Sequence, residues 1–491
     1  MSHKLMRYFR FANLIRLAAA IAVLLCPLCA RAQKTCESLS ASSIKIGSFE
    51  SSPIFAPNRA AVSAFDVAAK LQAKQLERLI QYRGVMSQYV DPDTSNMEKL
   101  NEVLQDNYTS LVSSDWRGAW GRDYALGILF YSYSDDVLRS WLVSRCGIEA
   151  YIERPISAES ISKMIAAVRS ALNIRARQAE RAPQPRRRGA VLEDQDESAP
   201  PSLAKASDDL TALLFPPNFQ APLKRFSYLL IVPALDIGTV PFSMLKPFGN
   251  DDYLTDHLSF SIAASLADAQ SLVHQAARSV DVVYAAGTGR PHRALLFQKS
   301  VVVGNPMFAS DPDYILPPLQ GAEKEARAVA TLVDGKLLVG AEATKDAITA
   351  ATTHATFLYV ATHGVADPDN PLNGSFLALS GPDPRWTARQ IQNSQFKNAL
   401  VVLSACQTGL GKTHEAGIIG LARAFQLAGA DVVMSLWSID DDATVDLMTA
   451  FVNNLKTEGQ ADALRDAMQS TRKIHPDPSR WASFAVFGNL W

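Results

Sequence analysis

The sequence lacks several features that would place it in a familiar functional class. No group of histidine, cysteine and acidic residues has the spacing of metal ligands, so we expect no metal and no organic cofactor. No self-similarity with a period of about 34 residues is visible, which argues against an array of helical repeats. The charges nearly cancel, with 48 Lys and Arg against 49 Asp and Glu. The chain therefore gives no electrostatic reason to expect a nucleic-acid partner.

What the sequence does contain begins with the pattern of a secretory signal peptide over residues 1–32. Basic residues from Lys4 to Arg16 precede an apolar run at residues 17–28, and Ala30-Arg31-Ala32 supplies the small residues of a cleavage site. The run is too short to span a bilayer comfortably, so a retained anchor is the weaker alternative. We expect export to the periplasm or the extracellular space, with no stable membrane anchor after cleavage.

Cysteines are few, and export limits their roles further. Cleavage would remove Cys26 and Cys29 and leave Cys36, Cys146 and Cys406 in the mature chain. In an oxidising compartment we predict a disulfide between Cys36 and Cys146, with Cys406 left as a free, reactive thiol. Three unpaired thiols are the alternative.

Residues 33–122 are predicted to form a helical N-terminal segment. Apolar residues recur at helical spacing from Arg59 to Tyr89, and the same pattern resumes over residues 97–112. These two runs predict a helical hairpin.

Residues 123–491 are predicted to form an α/β domain, because strand-like and helix-like runs alternate along them. Such alternation favours a mostly parallel sheet covered by helices. One predicted helix covers residues 415–427, directly after the Cys406 region. An insertion at about residues 177–205 combines prolines with blocks of like charge and is predicted to be disordered. Its cluster Arg186–Arg188 is either a solvated loop or a site of proteolytic processing.

Two short apolar strands carry the candidate chemistry. Residues 400–403 predict a buried strand that ends near Cys406, and residues 356–362 predict another that ends at His363 and Gly364. If these strands are parallel neighbours, thiol and imidazole meet at one sheet edge, where the imidazole can take the thiol proton. The backbone N–H groups of Gly364 and Cys406 could hold the oxyanion of a tetrahedral intermediate. No third residue that orients His363 can be chosen from the sequence, although Asp367 is near in the chain.

Acidic residues after a later strand suggest a substrate pocket. Asp440 or Asp441 could select a basic substrate side chain by charge pairing in a partly dry site. Alternatively, these residues occupy the first turn of the helix that follows, where acidic side chains are favoured.

The region from about Tyr124 to Trp491 resembles the CHAT domain family, caspase-like and separase-like cysteine peptidases. The similarity rests on a series of blocks in the expected order: Leu230-Ile-Val-Pro, Val240-Pro-Phe, Leu319-Gln-Gly-Ala-Glu-Lys-Glu, Ala361-Thr-His-Gly, Leu403-Ser-Ala-Cys-Gln-Thr-Gly, Gly417-Ile-Ile-Gly-Leu-Ala-Arg-Ala-Phe-Gln-Leu-Ala-Gly-Ala, Ser435-Leu-Trp-Ser-Ile-Asp-Asp and Trp481-Ala-Ser-Phe. The resemblance implies a caspase-like fold, a catalytic dyad of His363 and Cys406, and cleavage of protein or peptide substrates. A regulatory partner protein is a further expectation.

Two alternatives to a secreted cysteine endopeptidase stay open. The chain could be a catalytically silent interaction module that keeps the fold. It could also bind a nucleotide, because the segment from Cys406 to Thr413 differs from a phosphate-binding loop only at its first glycine. That interpretation gives Lys412 a role but leaves His363 and Gly364 without one.

Overall fold

The computed structural model describes a large part of the chain. The described residues are 59–83, 96–104, 126–172, 180–181, 202–249, 251–276, 282–284, 291–293, 296–308, 311, 313–367, 369–396, 399–406, 412–414, 417–437 and 441–490. The predicted signal peptide, residues 1–32, and Cys36 lie outside them.

A mixed, mostly parallel sheet is the centre of the fold. The described strands of the whole fold are β1 (Leu126–Ser134), β2 (Val137–Ser144), β3 (Gly147–Pro155), β4 (Glu180–Arg181), β5 (Tyr228–Val232), β6 (Ser259–Ile262), β7 (Val282–Tyr284), β8 (Pro291–Arg293), β9 (Ser300–Pro306), β10 (Tyr314–Ile315), β11 (Lys336–Gly340), β12 (Phe357–Val365), β13 (Phe376–Ala378), β14 (Arg385–Thr387), β15 (Leu400–Cys406), β16 (Lys412–His414), β17 (Gly417–Ile419), β18 (Asp431–Ser435) and β19 (Phe484–Phe487). In the described part of the chain the central sheet has 13 of these strands, of which eleven follow the order β11-β9-β12-β15-β18-β19-β6-β5-β1-β2-β3, while β13 and β14 extend it beside β12.

Helices flank this sheet, as the sequence predicted for an α/β fold. They are α1 (Arg59–Arg83), α2 (97–104), α3 (Ala158–Ala171), α4 (Leu203–Leu214), α5 (Pro217–Leu223), α6 (Leu254–His257), α7 (Leu266–Ala276), α8 (Gln320–Val333), α9 (Lys345–Thr352), α10 (Ala388–Gln392), α11 (Leu421–Leu427), α12 (Asp441–Asn454), α13 (Gln460–Ile474) and α14 (Pro478–Trp481). The longer of them bury an apolar stripe against the sheet, which is the arrangement that apolar strands covered on both faces require.

Five neighbouring strands form the parallel half of the sheet that carries the candidate site. β11, β9, β12, β15 and β18 pair in parallel in that spatial order. All nine residues of β12 are buried, as expected for a strand covered on both faces. Helix α8 packs directly on the backbone of β9, because a Cβ added at Gly304 would lie only 2.3 Å from the Cβ of Ala326. A glycine is therefore needed at this close approach.

The N-terminal helix α1 packs on the antiparallel strands of the sheet. The Phe65 ring lies 5.3 Å from that of Phe130 and 5.7 Å from that of Trp141. The Trp141 indole also donates a hydrogen bond to the carbonyl oxygen of Ala61, 3.1 Å away. Part of the predicted helical segment thus covers a face of the sheet.

Two segments differ from the sequence-based expectation. Within residues 177–205, predicted to be disordered, Glu180–Arg181 forms a strand and α4 begins at Leu203, where the Ser202 hydroxyl accepts from the Lys205 N–H. The helix predicted over residues 415–427 begins only at Leu421. The residues before it form the strand Gly417–Ile419, because two isoleucines favour a strand and a hairpin partner is available.

None of the helices in the described part of the chain is long and apolar enough to cross a membrane.

Candidate active site

The candidate site lies where β12 and β15 end. The two strands are parallel neighbours, and the last of their register pairs joins His363 to Cys406. Both residues therefore stand at the carboxyl ends of adjacent central strands, the edge at which open α/β sheets place their ligands and reacting groups. The parallel pairing that the sequence predicted is present.

His363 is held in a buried, apolar setting. Its exposed fraction is 7%, and its ring centroid lies 4.8 Å from that of Phe308. Burial lowers the pKa of His363 below its ordinary value of 6.5, and the hydrogen bond to Pro317 opposes this effect only in part. The neutral imidazole is therefore favoured at neutral pH.

The carbonyl oxygen of Pro317 fixes the orientation of that imidazole. It lies 2.7 Å from Nε2 of His363. A carbonyl can only accept, so the proton of the neutral ring must be on Nε2. The other ring nitrogen, Nδ1, then carries the lone pair that can take a proton. Sequence reasoning did not identify this partner, because a backbone carbonyl has no residue-type signature.

The loop that carries Pro317 is closed at its base by Asn305. The Asn305 side-chain oxygen accepts a hydrogen bond of 2.7 Å from the N–H of Leu319. Asn305 has a φ of 43°, a left-handed conformation that asparagine tolerates better than most residues. This single side chain thus joins the two ends of the loop.

Arg385 holds the middle of the same loop. Its guanidinium pairs with Asp311 at 2.6 Å and with Asp313 at 2.8 Å. Its central carbon also lies 5.6 Å from the ring centroid of Tyr314 and 4.9 Å from that of Phe376. The hydrogen bond to Asp311 is the largest cause that raises the pKa of Arg385 above its ordinary value. The cation is therefore well suited to act as a fixed anchor for the loop.

Buried polar groups beneath the site join the strands to their neighbours. The Tyr359 hydroxyl donates to the buried carboxylate of Glu325 on α8 and is also hydrogen-bonded to Ser404 on β15. The Ser435 hydroxyl donates to the carbonyl oxygen of Ala405 at 2.8 Å. The backbone immediately before Cys406 is thus tied to β18.

The other residues predicted for the dyad region lie close by. Gly364 is buried inside β12 and stands opposite Leu377 in the antiparallel pair with β13. The Asp367 carboxylate accepts hydrogen bonds from the N–H groups of Asp369 and Asn370, so these contacts stay within its own loop.

The predicted substrate pocket and disulfide are described only in part. Asp440 lies outside the described residues, and Asp441 is the first residue of α12. The Asp442 carboxylate beyond it pairs with Lys324 at 3.0 Å on the surface. Cys146 is disulfide-bonded, and because Cys36 lies outside the described residues, their pairing stays a prediction.

Lys412 and Thr413 do not lie where a phosphate-binding loop would place them. In such a loop the Lys and Thr lie where a helix opens. Here Lys412 and Thr413 belong to β16, which pairs with β17 as an antiparallel hairpin. The nucleotide-binding alternative loses its structural basis.

No cluster of three or more potential metal ligands occurs among the described residues.

Comparisons with known proteins define the class of this fold. Two solved structures of the Saccharomyces cerevisiae separase–securin complex superpose with TM-scores of 0.53 and 0.52 at 9% identity. They cover 89% of this chain and 34% of the matched chain. The fold is that of separase, a caspase-like cysteine peptidase fold.

The family follows from the sequence model of the CHAT domain, which matches residues 204–489. The chain therefore belongs to the CHAT domain family. Among curated proteins, tetratricopeptide repeat protein 28 of Homo sapiens and of Mus musculus are each 26% identical over 309 residues, or 55% of this chain. The match covers 12% of the length of those relatives.

The setting of His363 predicts how it titrates. Its NMR titration should have a midpoint below 6.5, and Phe308→Ala should move that midpoint upward by admitting water. The contribution of the neutral imidazole to stability is present above pH 6.5 and is lost as the pH falls through the folded-state pKa.

Phe297→Ala is the matched control, because this aromatic residue packs on Phe357 instead of His363. It should leave the His363 midpoint unchanged. A midpoint at or above 6.5 in the unsubstituted protein would contradict the buried setting.

Proposed function

We propose that the chain is a cysteine endopeptidase that uses His363 and Cys406 as a catalytic dyad. The observation that carries this proposal is the register pairing of these residues at the ends of adjacent parallel strands. Register partners on neighbouring strands share a face of a pleated sheet, so both residues are on one face. Because the tautomer of His363 is fixed, the lone pair of its Nδ1 is available to act as the base.

In the proposed reaction, Nδ1 of His363 takes the thiol proton and the thiolate attacks the carbonyl carbon of the scissile amide. The new C–S bond produces a tetrahedral intermediate whose oxyanion is held by the N–H groups of Gly364 and Cys406. The C–N bond then breaks, and the imidazolium returns its proton to the leaving amine. Water hydrolyses the thioester, with His363 again acting as the base, and this step restores the thiol.

The substrates that this chemistry fits are proteins or peptides, since the bond that breaks is an amide. A regulatory partner protein is part of the proposal, because the solved relatives are complexes of separase with securin.

We further propose that the protein is exported and processed. The support is the signal-peptide pattern over residues 1–32 and the disulfide at Cys146, a bond that persists in oxidising compartments. The mature protein should begin at Gln33 when its N-terminus is sequenced. Under denaturing, non-reducing conditions it should show one free thiol, because Cys36 and Cys146 are paired. An uncleaved N-terminus would refute processing, and two or more free thiols would remove this pairing.

The dyad predicts a clear result with a thiol-directed acyl probe. The wild-type protein should be labelled and the Cys406→Ala protein should not. His363→Ala should label at least about 10²-fold more slowly, the usual contribution of a positioned base. Labelling is followed by intact-protein mass spectrometry.

Lys412→Ala is the control, since Lys412 lies in the hairpin strand and has no role in the dyad. Its labelling rate should match that of the wild type. Absence of labelling in folded wild-type protein would instead favour the catalytically silent interaction module.

The acidic residues after β18 predict a preference for substrates with Arg or Lys before the scissile bond. The proposal assigns this selectivity to Asp440 or Asp441 through charge pairing. Peptides with Arg at that position should have a higher kcat/KM than otherwise identical peptides with Leu or Met. In the Asp440→Asn/Asp441→Asn protein, the kcat/KM for the Arg peptide divided by that for the Leu or Met peptide should fall toward one. Faster cleavage of the Leu or Met peptides by wild-type protein would rule this preference out.

A further inference from the structure

A strand of only two residues lies beside the candidate dyad. β10 (Tyr314–Ile315) pairs antiparallel with β4 (Glu180–Arg181), with Tyr314 opposite Arg181 and Ile315 opposite Glu180. This pair is separate from the 13-stranded sheet among the described residues. Its two strands are more than a hundred residues apart in the chain, so the contact is not a local turn.

The position of β10 connects it to His363. Ile315 is two residues before Pro317, whose carbonyl oxygen accepts the hydrogen bond from the imidazole. At about 3.3 Å per residue, Ile315 lies within about 7 Å of that carbonyl along the chain. A peptide that pairs with β10 would therefore run past the candidate dyad.

The side chains of β10 and its neighbours present one packed face and one open face. Tyr314 and Leu316 pack with Phe308 on a small apolar cluster formed by Val365, Phe376 and Ala378. Ile315, between them in sequence, is 50% exposed, and Met307 in the same loop is 62% exposed. These are two of the few large apolar side chains that the described part of the chain leaves in solvent. The main chain of β10 suits the backbone of an extended peptide, and these two exposed side chains suit an apolar side chain of that peptide.

We propose that β10 is the peptide-binding strand of the candidate active site, and that Glu180–Arg181 occupies it as an internal competitor. The ligand is an extended peptide segment with an apolar side chain that contacts Met307 and Ile315. This inference rests on the proposed endopeptidase function and adds to it a substrate-binding strand and a means of regulation.

The physical basis is strand addition through main-chain hydrogen bonds. A two-residue ladder makes few such bonds, so a longer peptide with a well-placed apolar side chain can displace it. The internal segment competes effectively because it is tethered, at an effective concentration that can reach the millimolar range. Arg385 stacks on Tyr314 and so keeps β10 in place whether or not β4 is paired with it.

The test removes the backbone donors of the internal strand. Glu180→Pro/Arg181→Pro abolishes both N–H groups, while Glu180→Ala/Arg181→Ala retains them and is the matched control. Labelling of Cys406 is measured with a peptidyl acyloxymethyl ketone that carries apolar residues, and separately with iodoacetamide. The proline variant should react about tenfold faster than wild type with the peptidyl reagent, and at the wild-type rate with iodoacetamide. The alanine variant should match wild type with both.

Equal peptidyl rates in the proline variant and wild type would overturn the inference. So would a parallel rise with both reagents, because that result means that the thiol environment has changed. If only iodoacetamide labels the protein, the endopeptidase proposal fails.

A measurement of peptide affinity tests, independently of catalysis, whether β10 is a peptide-binding strand. In a Cys406→Ala background, a fluorescent ten-residue peptide that carries leucine residues in an otherwise polar sequence should bind the proline variant about tenfold more tightly than its parent. A scrambled-order peptide serves as the control for this measurement. Equal affinities for the variant and its parent would overturn the inference.

Discussion

The parallel pairing of β12 with β15 is the constraint on which the candidate active site depends. Their ladder runs from Phe357 opposite Leu400 to His363 opposite Cys406 without a register shift. A slip of one residue would move every side chain of a strand to the other face of the sheet. Both faces are buried here, so each alternative register would break packing and buried hydrogen bonds such as that between Tyr359 and Ser404. The packing of the core therefore permits only the register that places His363 opposite Cys406.

The loop from Met307 to Pro318 turns this backbone alignment into an oriented imidazole. Its ends are joined by the hydrogen bond between Asn305 and Leu319, and its middle is held by the ion pair of Arg385 with Asp311. The conformational entropy lost when this loop closes is offset by contacts that do not involve the candidate dyad. His363 therefore contacts a carbonyl whose position is set by the fold itself, which is the preorganisation that the proposed catalysis requires.

The strand pair could be predicted from the sequence because its signal is local. A short apolar run followed by small residues identifies a buried strand and its end, and two such runs identified His363 and Cys406 as candidates. The hydrogen bond to Pro317 could not be predicted in this way, since any residue type has a carbonyl and Pro317 and His363 are 46 positions apart in the chain. The strand at Gly417–Ile419 was missed for a related reason. A Gly-Ile-Ile-Gly sequence fits a helix start or a strand, and the hairpin partner at Lys412–His414 decides between them.

Two opposing effects on the His363 imidazole explain why a hydrogen bond to the Pro317 carbonyl suits the role of a general base. Burial favours the neutral ring, which must be the resting form if Nδ1 is to take a proton. The same burial would oppose the imidazolium that forms once the proton has moved. The carbonyl of Pro317 accepts from Nε2–H in both forms and stabilises the cation more strongly, because a charge-assisted hydrogen bond is the stronger of the two. The single contact thus fixes the tautomer at rest and would lower the energy of the charged state in the proposed reaction, which desolvation alone would raise.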